Sequence, residues 1–107
     1  MKNLFLSATL MALTFSSVSL HAAPQGDPAV GEELAKTRMC AGCHGLNGVS
    51  PMPIYPHLVG QHGAYLVKAL TDFREKRRTD PTMNAMAGSL TDEDIAHLAA
   101  YFSSQSR

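Results

Sequence analysis

The chain has 107 residues, nine basic and nine acidic, and 45% of them are hydrophobic. That length allows one domain at most, and the even charge excludes the strongly basic surface by which a chain of this size would hold nucleic acid.

The first stretch reads as an export signal. Lys2 gives a positive start, Leu4 to Leu20 is an uncharged run of mainly Leu, Ala, Phe, Ser and Thr, and His21-Ala22-Ala23-Pro24 offers small residues for cleavage. An uncleaved membrane anchor is the competing reading; the Ser and Thr in the run and the Ala-Ala-Pro boundary favour cleavage. The cut is expected after Ala22, with Ala23 as the neighbouring option, so that residues 1–22 are a removed leader and 23–107 a periplasmic domain with no stable membrane insertion. What remains keeps eight of the nine basic residues and all nine acidic ones, a formal charge of −1. A chain this short has a thin core unless a staple or a large buried group supplements it.

Three helices are expected after the leader, and the fold class is all-α. Asp27 followed by Pro28 is a good N-cap with proline at the first helical position, opening a helix toward Arg38. From Gly45 to Gly60 the prolines 51, 53 and 56 break any period, which predicts a loop. Helical spacing resumes with Leu66, Ala69, Leu70 and Phe73, and Asp72 and Lys76 are placed to pair at i,i+4. A second loop is expected over 77–89. The last helix has the clearest signals: Thr91 and Asp94 form a capping box, and Ile95, Leu98, Ala99 and Phe102 form one apolar stripe.

Between the first helix and the first loop stands Cys40-Ala41-Gly42-Cys43-His44, the C-x-x-C-H form that marks covalent haem attachment. Two thiols three residues apart on a tight helical turn reach the two vinyl groups on one side of a porphyrin, and the next residue presents its imidazole to the iron. Small Ala41 and Gly42 keep side chains clear of the ring. A disulfide between Cys40 and Cys43 would close too small a loop to stabilise a fold. A thioredoxin-like pair lacks its βαβ surroundings, and a zinc site lacks a second ligand pair.

His44 is then the proximal iron ligand, and its other ring nitrogen needs a fixed acceptor, for which the loop around Pro56 is the natural source. The sixth position decides the chemistry, because a thioether raises the potential and closes the iron to outside molecules. Met83 and Met86 both lie before the final helix and are both candidates. Met39 and Met52 are too near the attachment segment in sequence, and His57, His62 and His97 are more ordinary as surface or hydrogen-bonded residues.

These blocks resemble class I c-type cytochromes, most of all one half of the two-haem periplasmic cytochromes c4. The similarity runs from Cys40–Gly45 through Tyr55-Pro56-His57-Leu58-Val59-Gly60-Gln61 and Leu70–Arg74 to Leu90–Ile95 and Ala99–Gln105. It implies the class I cytochrome c fold around one haem c, the Pro56 carbonyl as acceptor for His44, and, counting seven residues back from Leu90, Met83 as distal ligand with Met86 as the alternative. With a single C-x-x-C-H, a one-haem protein without a second domain is expected. The implied function is one-electron transfer between redox protein partners, a donor and an acceptor in the membrane or periplasm, with no substrate chemistry. Two other readings compete: a haem protein with an open distal site for small molecules, or the cytochrome subunit of a dehydrogenase or oxidase complex. Arg74, Lys76, Arg77 and Arg78 could steer an acidic partner, or form a solvated helix end.

Overall fold

A computed structural model describes residues 25–107, among which there are five helices and no strand. The leader expected over 1–22 lies outside the described residues, none of whose helices is long and apolar enough to cross a membrane.

The first helix, α1, is Pro28–Thr37. The Asp27 carboxylate accepts from the Ala29 N–H at 2.9 Å, and proline occupies the first turn, where its missing donor costs nothing. The attachment segment forms α2, Cys40–His44; α3 is Gly63–Arg74, α4 is Pro81–Ala87 and α5 is Asp92–Ser104. At the start of α5, Thr91 Oγ1 accepts from the Asp94 N–H at 3.0 Å while Asp94 accepts from the Thr91 N–H at 3.1 Å, so two orphan donors are satisfied reciprocally.

The last helix is the centre of the packing. Both α1 and α3 lie against it, and it supplies Ile95, Leu98, Ala99, Tyr101 and Phe102 to a core completed by Ala35, Leu66, Phe73, Ala87 and Leu90. The crossing with α1 is close enough to demand glycine: a Cβ on Gly31 would stand 2.0 Å from the His97 carbonyl oxygen. Among the described residues, Ile95 and Leu98 are the largest side chains that are almost wholly buried, each 1% exposed. A core of that size leaves room for the stabilising contribution of a large apolar group.

Two expectations need correction. Part of the stretch 77–89 expected as loop is α4, whose start repeats the signal of α1: Asp80 accepts from the Met83 N–H at 2.9 Å and Pro81 fills the first turn. The expected Asp72–Lys76 pair is absent, because α3 ends at Arg74 and Lys76 turns to φ 60°. Asp72 is held instead by Lys68 and by Arg77, the latter at 3.0 Å. These two partners keep its carboxyl below the ordinary carboxylate range, Lys68 contributing most.

Candidate functional site

The attachment turn sits at a reversal of the chain. After α1 the Arg38 N–H returns to the Leu34 carbonyl at 2.8 Å, and Met39 then adopts φ 64°, a left-handed conformation that costs a non-glycine residue about 1 kcal/mol. The five residues of α2 follow and stop at Gly45, with φ 80°. A side chain there would be strained twice over, since its Cβ would also meet the Val49 carbonyl oxygen at 2.0 Å.

Within this turn Cys40 and Cys43 are unpaired thiols, each partly exposed. Burial pushes the Cys40 thiol above its ordinary range. A Cβ on Gly42 would meet nothing within 4 Å, which leaves that side of the turn clear of protein.

His44 is buried, and its Nδ1 lies 2.8 Å from the Pro56 carbonyl oxygen. A carbonyl only accepts, so Nδ1 carries the hydrogen and donates, and Nε2 keeps a free lone pair. The loop that presents Pro56 is itself tied down. The Leu58 and Val59 N–H groups both donate to the Gly48 carbonyl, at 2.8 and 3.1 Å, and the Ser50 N–H donates to His57 Nδ1 at 2.8 Å. On the other flank, the hydroxyl of buried Tyr101 on α5 donates to the Leu46 carbonyl, two residues beyond His44.

Met83 and Met86 share α4 but differ in burial. Met83 is half-buried and packs on the same core cluster that Cys40 touches, whereas Met86 is 42% exposed and is not part of that packing. Met39 and Met52 stand largely in solvent. Two of the other histidines have their Nδ1 engaged by backbone: His57 by Ser50, and His97 by the Asp27 N–H at 2.8 Å. His62 is an exposed residue preceding α3.

The basic cluster is largely satisfied within the molecule. Arg74 pairs with Asp92 at 2.8 Å and Glu75 at 2.9 Å and donates to the Leu90 carbonyl; Arg77 holds Asp72; Arg78 lies over the Phe73 ring and donates to Tyr65. His97 is the hydrogen-bonded histidine the sequence suggests, whereas the roles of Tyr101 and Asn84, which bond to backbone distant in sequence, have no clear signal there. Asn84 follows Asp80 by four residues, as an amide must if it is to reach back over the start of its own helix, and that spacing is its only local signal.

A helical chain, one C-x-x-C-H turn and a buried histidine donating to a proline carbonyl define a small covalent haem protein. The cytochrome c family pattern matches residues 28–106, and the chain belongs to the cytochrome c family. Cytochrome c4 of Thiocapsa roseopersicina is 49% identical over 85 residues, covering 78% of this chain and 43% of that protein. Cytochrome c-554(548) of Halomonas halodenitrificans is 47% identical over 83 residues, covering 75% of this chain and 98% of the relative. The crystal structure of reduced recombinant cytochrome c4 from Pseudomonas stutzeri superposes with a TM-score of 0.66 at 37% identity, over 79% of this chain and 53% of that one. The chain thus spans about half the length of the cytochromes c4 it matches, but nearly all of cytochrome c-554(548). Members of the family carry electrons on covalently bound haem c, and one attachment segment corresponds to one haem.

Proposed function

We propose that this chain is a one-electron carrier in which Cys40 and Cys43 tether one haem c, His44 is the proximal ligand and Met83 the distal one, working between protein redox partners outside the cytoplasm after loss of residues 1–22. The donor set fits that group. Two thiols are available for thioether bonds, an imidazole offers one free nitrogen beside them, and a soft thioether stands at the edge of the same core.

When bound, haem c supplies an iron that alternates between the ferrous and ferric states. The protein's work is to hold the ligands still in both, so that little reorganises as the electron moves. His44 is held by the bond from Nδ1 to Pro56, which fixes the tautomer and the ring plane and makes Nε2 a better donor. That bond is the single observation that carries the reading, because it commits the one ring hydrogen of an otherwise buried histidine to Pro56 and leaves Nε2 without a protein partner, open to a metal. Met83 offers a neutral sulfur, which favours the reduced state and keeps outside molecules off the iron. Contacts with redox partners are expected to be small and transient.

The test is Met83→Ala beside Met86→Ala, each purified with its haem and followed by visible spectra and potentiometry. Met83→Ala is expected to lose the weak far-red band of the ferric protein and to fall in potential, with Met86→Ala unchanged; the reverse would assign Met86. The untreated ferrous protein is expected to ignore carbon monoxide, and rapid binding would establish an open distal site instead. Purification from its own cells separates the free shuttle from a subunit, since a stoichiometric large partner would mark the latter.

A further inference from the structure

Met83 stands on a helix too short to hold its own position. Seven residues form barely two turns, and isolated helices of that length are unstable in water. What fixes α4 is its attachments. Asp80 caps it, Ala87 at its far end is fully buried, and between them Asn84 reaches back toward α3.

Both polar atoms of the Asn84 amide are bonded. Nδ2 donates to the carbonyl of Phe73, in the last turn of α3, at 2.8 Å and to the carbonyl of Arg78, in the connecting segment, at 2.9 Å. Oδ1 accepts from the Asp80 N–H at 3.0 Å. Two partners that only accept and one that only donates also fix which way round the amide lies. One side chain thereby joins the end of α3, the link and the start of α4. The other anchors of the exposed link tie it to α3 and do not reach α4: the Arg77 and Arg78 N–H groups donate to the Asp72 carbonyl at 2.8 and 3.1 Å, and the Arg77 side chain holds the Asp72 carboxylate.

We propose that Asn84 is the positioning residue for the distal ligand: by clamping α4 onto the end of α3 it sets where the Met83 thioether stands and limits how often it swings away. This rests on the reading of Met83 as the ligand. An outside ligand can enter only while Met83 is away, so its apparent affinity scales with that open fraction. Cutting the clamp should raise the fraction, and with it the affinity, while the haem stays tethered by residues of α2.

The experiment titrates the haem-loaded ferric protein with imidazole, following the far-red band, in the parent, Asn84→Ala, Asn84→Asp, Asp27→Ala and Met83→Ala. Asn84→Ala removes all three bonds and is expected to bind imidazole at least about tenfold more tightly. Asn84→Asp keeps the shape and the acceptor but sets a carboxylate against two carbonyl oxygens; it should show the same direction, and it carries the test if the alanine variant does not accumulate. Asp27→Ala removes the cap of α1 and weakens the fold elsewhere, and should change imidazole affinity by less than about twofold. Asn84 variants that titrate like Asp27→Ala would overturn the positioning role. Met83→Ala that keeps the far-red band would show that the ligand itself was misassigned, a failure distinct from the first.

Discussion

Substituting Gly31 by alanine sets two effects against each other. Alanine is favoured over glycine inside a helix by about 1 kcal/mol, so propensity alone predicts a more stable protein. Gly31 is buried at the crossing of α1 and α5, however, where a Cβ would lie 2.0 Å from the His97 carbonyl oxygen, 2.7 Å from its carbon and 2.7 Å from the Tyr101 Cβ. Non-bonded heavy atoms rest at about 3.5 Å, so the helices would have to part by more than 1 Å along their whole shared face. Overpacking costs about 1–3 kcal/mol, and here the neighbours are backbone atoms and a Cβ that cannot rotate aside, which places the cost at the upper end. The net loss is then about 2 kcal/mol, or a fall in melting temperature of about 10 °C for a domain of this size. Gly63→Ala serves as control, since its Cβ would meet Ser103 Oγ at 3.4 Å, an ordinary contact, and it should melt no lower than the parent. Thermal unfolding followed by circular dichroism makes the comparison. A Gly31→Ala protein melting at or above the parent would refute the close crossing.

Other outcomes follow from the caps, the ion pairs and the buried hydroxyl. Thr91→Ala breaks the capping box of α5 and should cost about 1 kcal/mol in denaturant unfolding, with the visible spectrum unchanged. Tyr101→Phe leaves the Leu46 carbonyl without its partner, a loss of about 1 kcal/mol by the same assay, and should leave the far-red band intact because Pro56 still holds His44. Asp72 titrates below its ordinary value of 3.8, so its contribution to stability is present above that value and is lost as pH falls through the lower folded one. Melting temperatures across acid pH should therefore show Asp72→Asn below the parent near neutrality, with the gap closing on acidification; a gap independent of pH would contradict the assignment.

The parts of the fold written in local signals could be read from the sequence, and the parts written in distant contacts could not. Asp27-Pro28 and Thr91 with Asp94 state where helices begin, and the stripes through Leu66 and Phe73 and through Ile95, Leu98 and Phe102 state which side is buried. The same cap pair at Asp80-Pro81 was hidden because α4 has one buried residue, Ala87, and hence no stripe; its place is set by Asn84 bonding to Phe73, 11 residues away. The Asp72–Lys76 pairing failed on a helix end, since two residues past Arg74 the backbone no longer keeps helical spacing. Tyr101 with Leu46 and His97 with Asp27 span 55 and 70 residues and leave no periodic trace. In the candidate site, the attachment turn is legible because five consecutive residues spell it. The partnership of His44 with Pro56 and the choice of Met83 over Met86 came from family likeness, since residue pattern alone leaves a loop with three prolines and a pair of methionines.

The intact mass of the denatured polypeptide, purified from cells able to attach haem, tests the whole account most directly. Thioether bonds through Cys40 and Cys43 predict a mass greater than that of the amino acids by one haem, with the colour remaining on the protein after acid-acetone treatment. A polypeptide weighing no more than its residues, or one that gives up its pigment to the solvent, would contradict it.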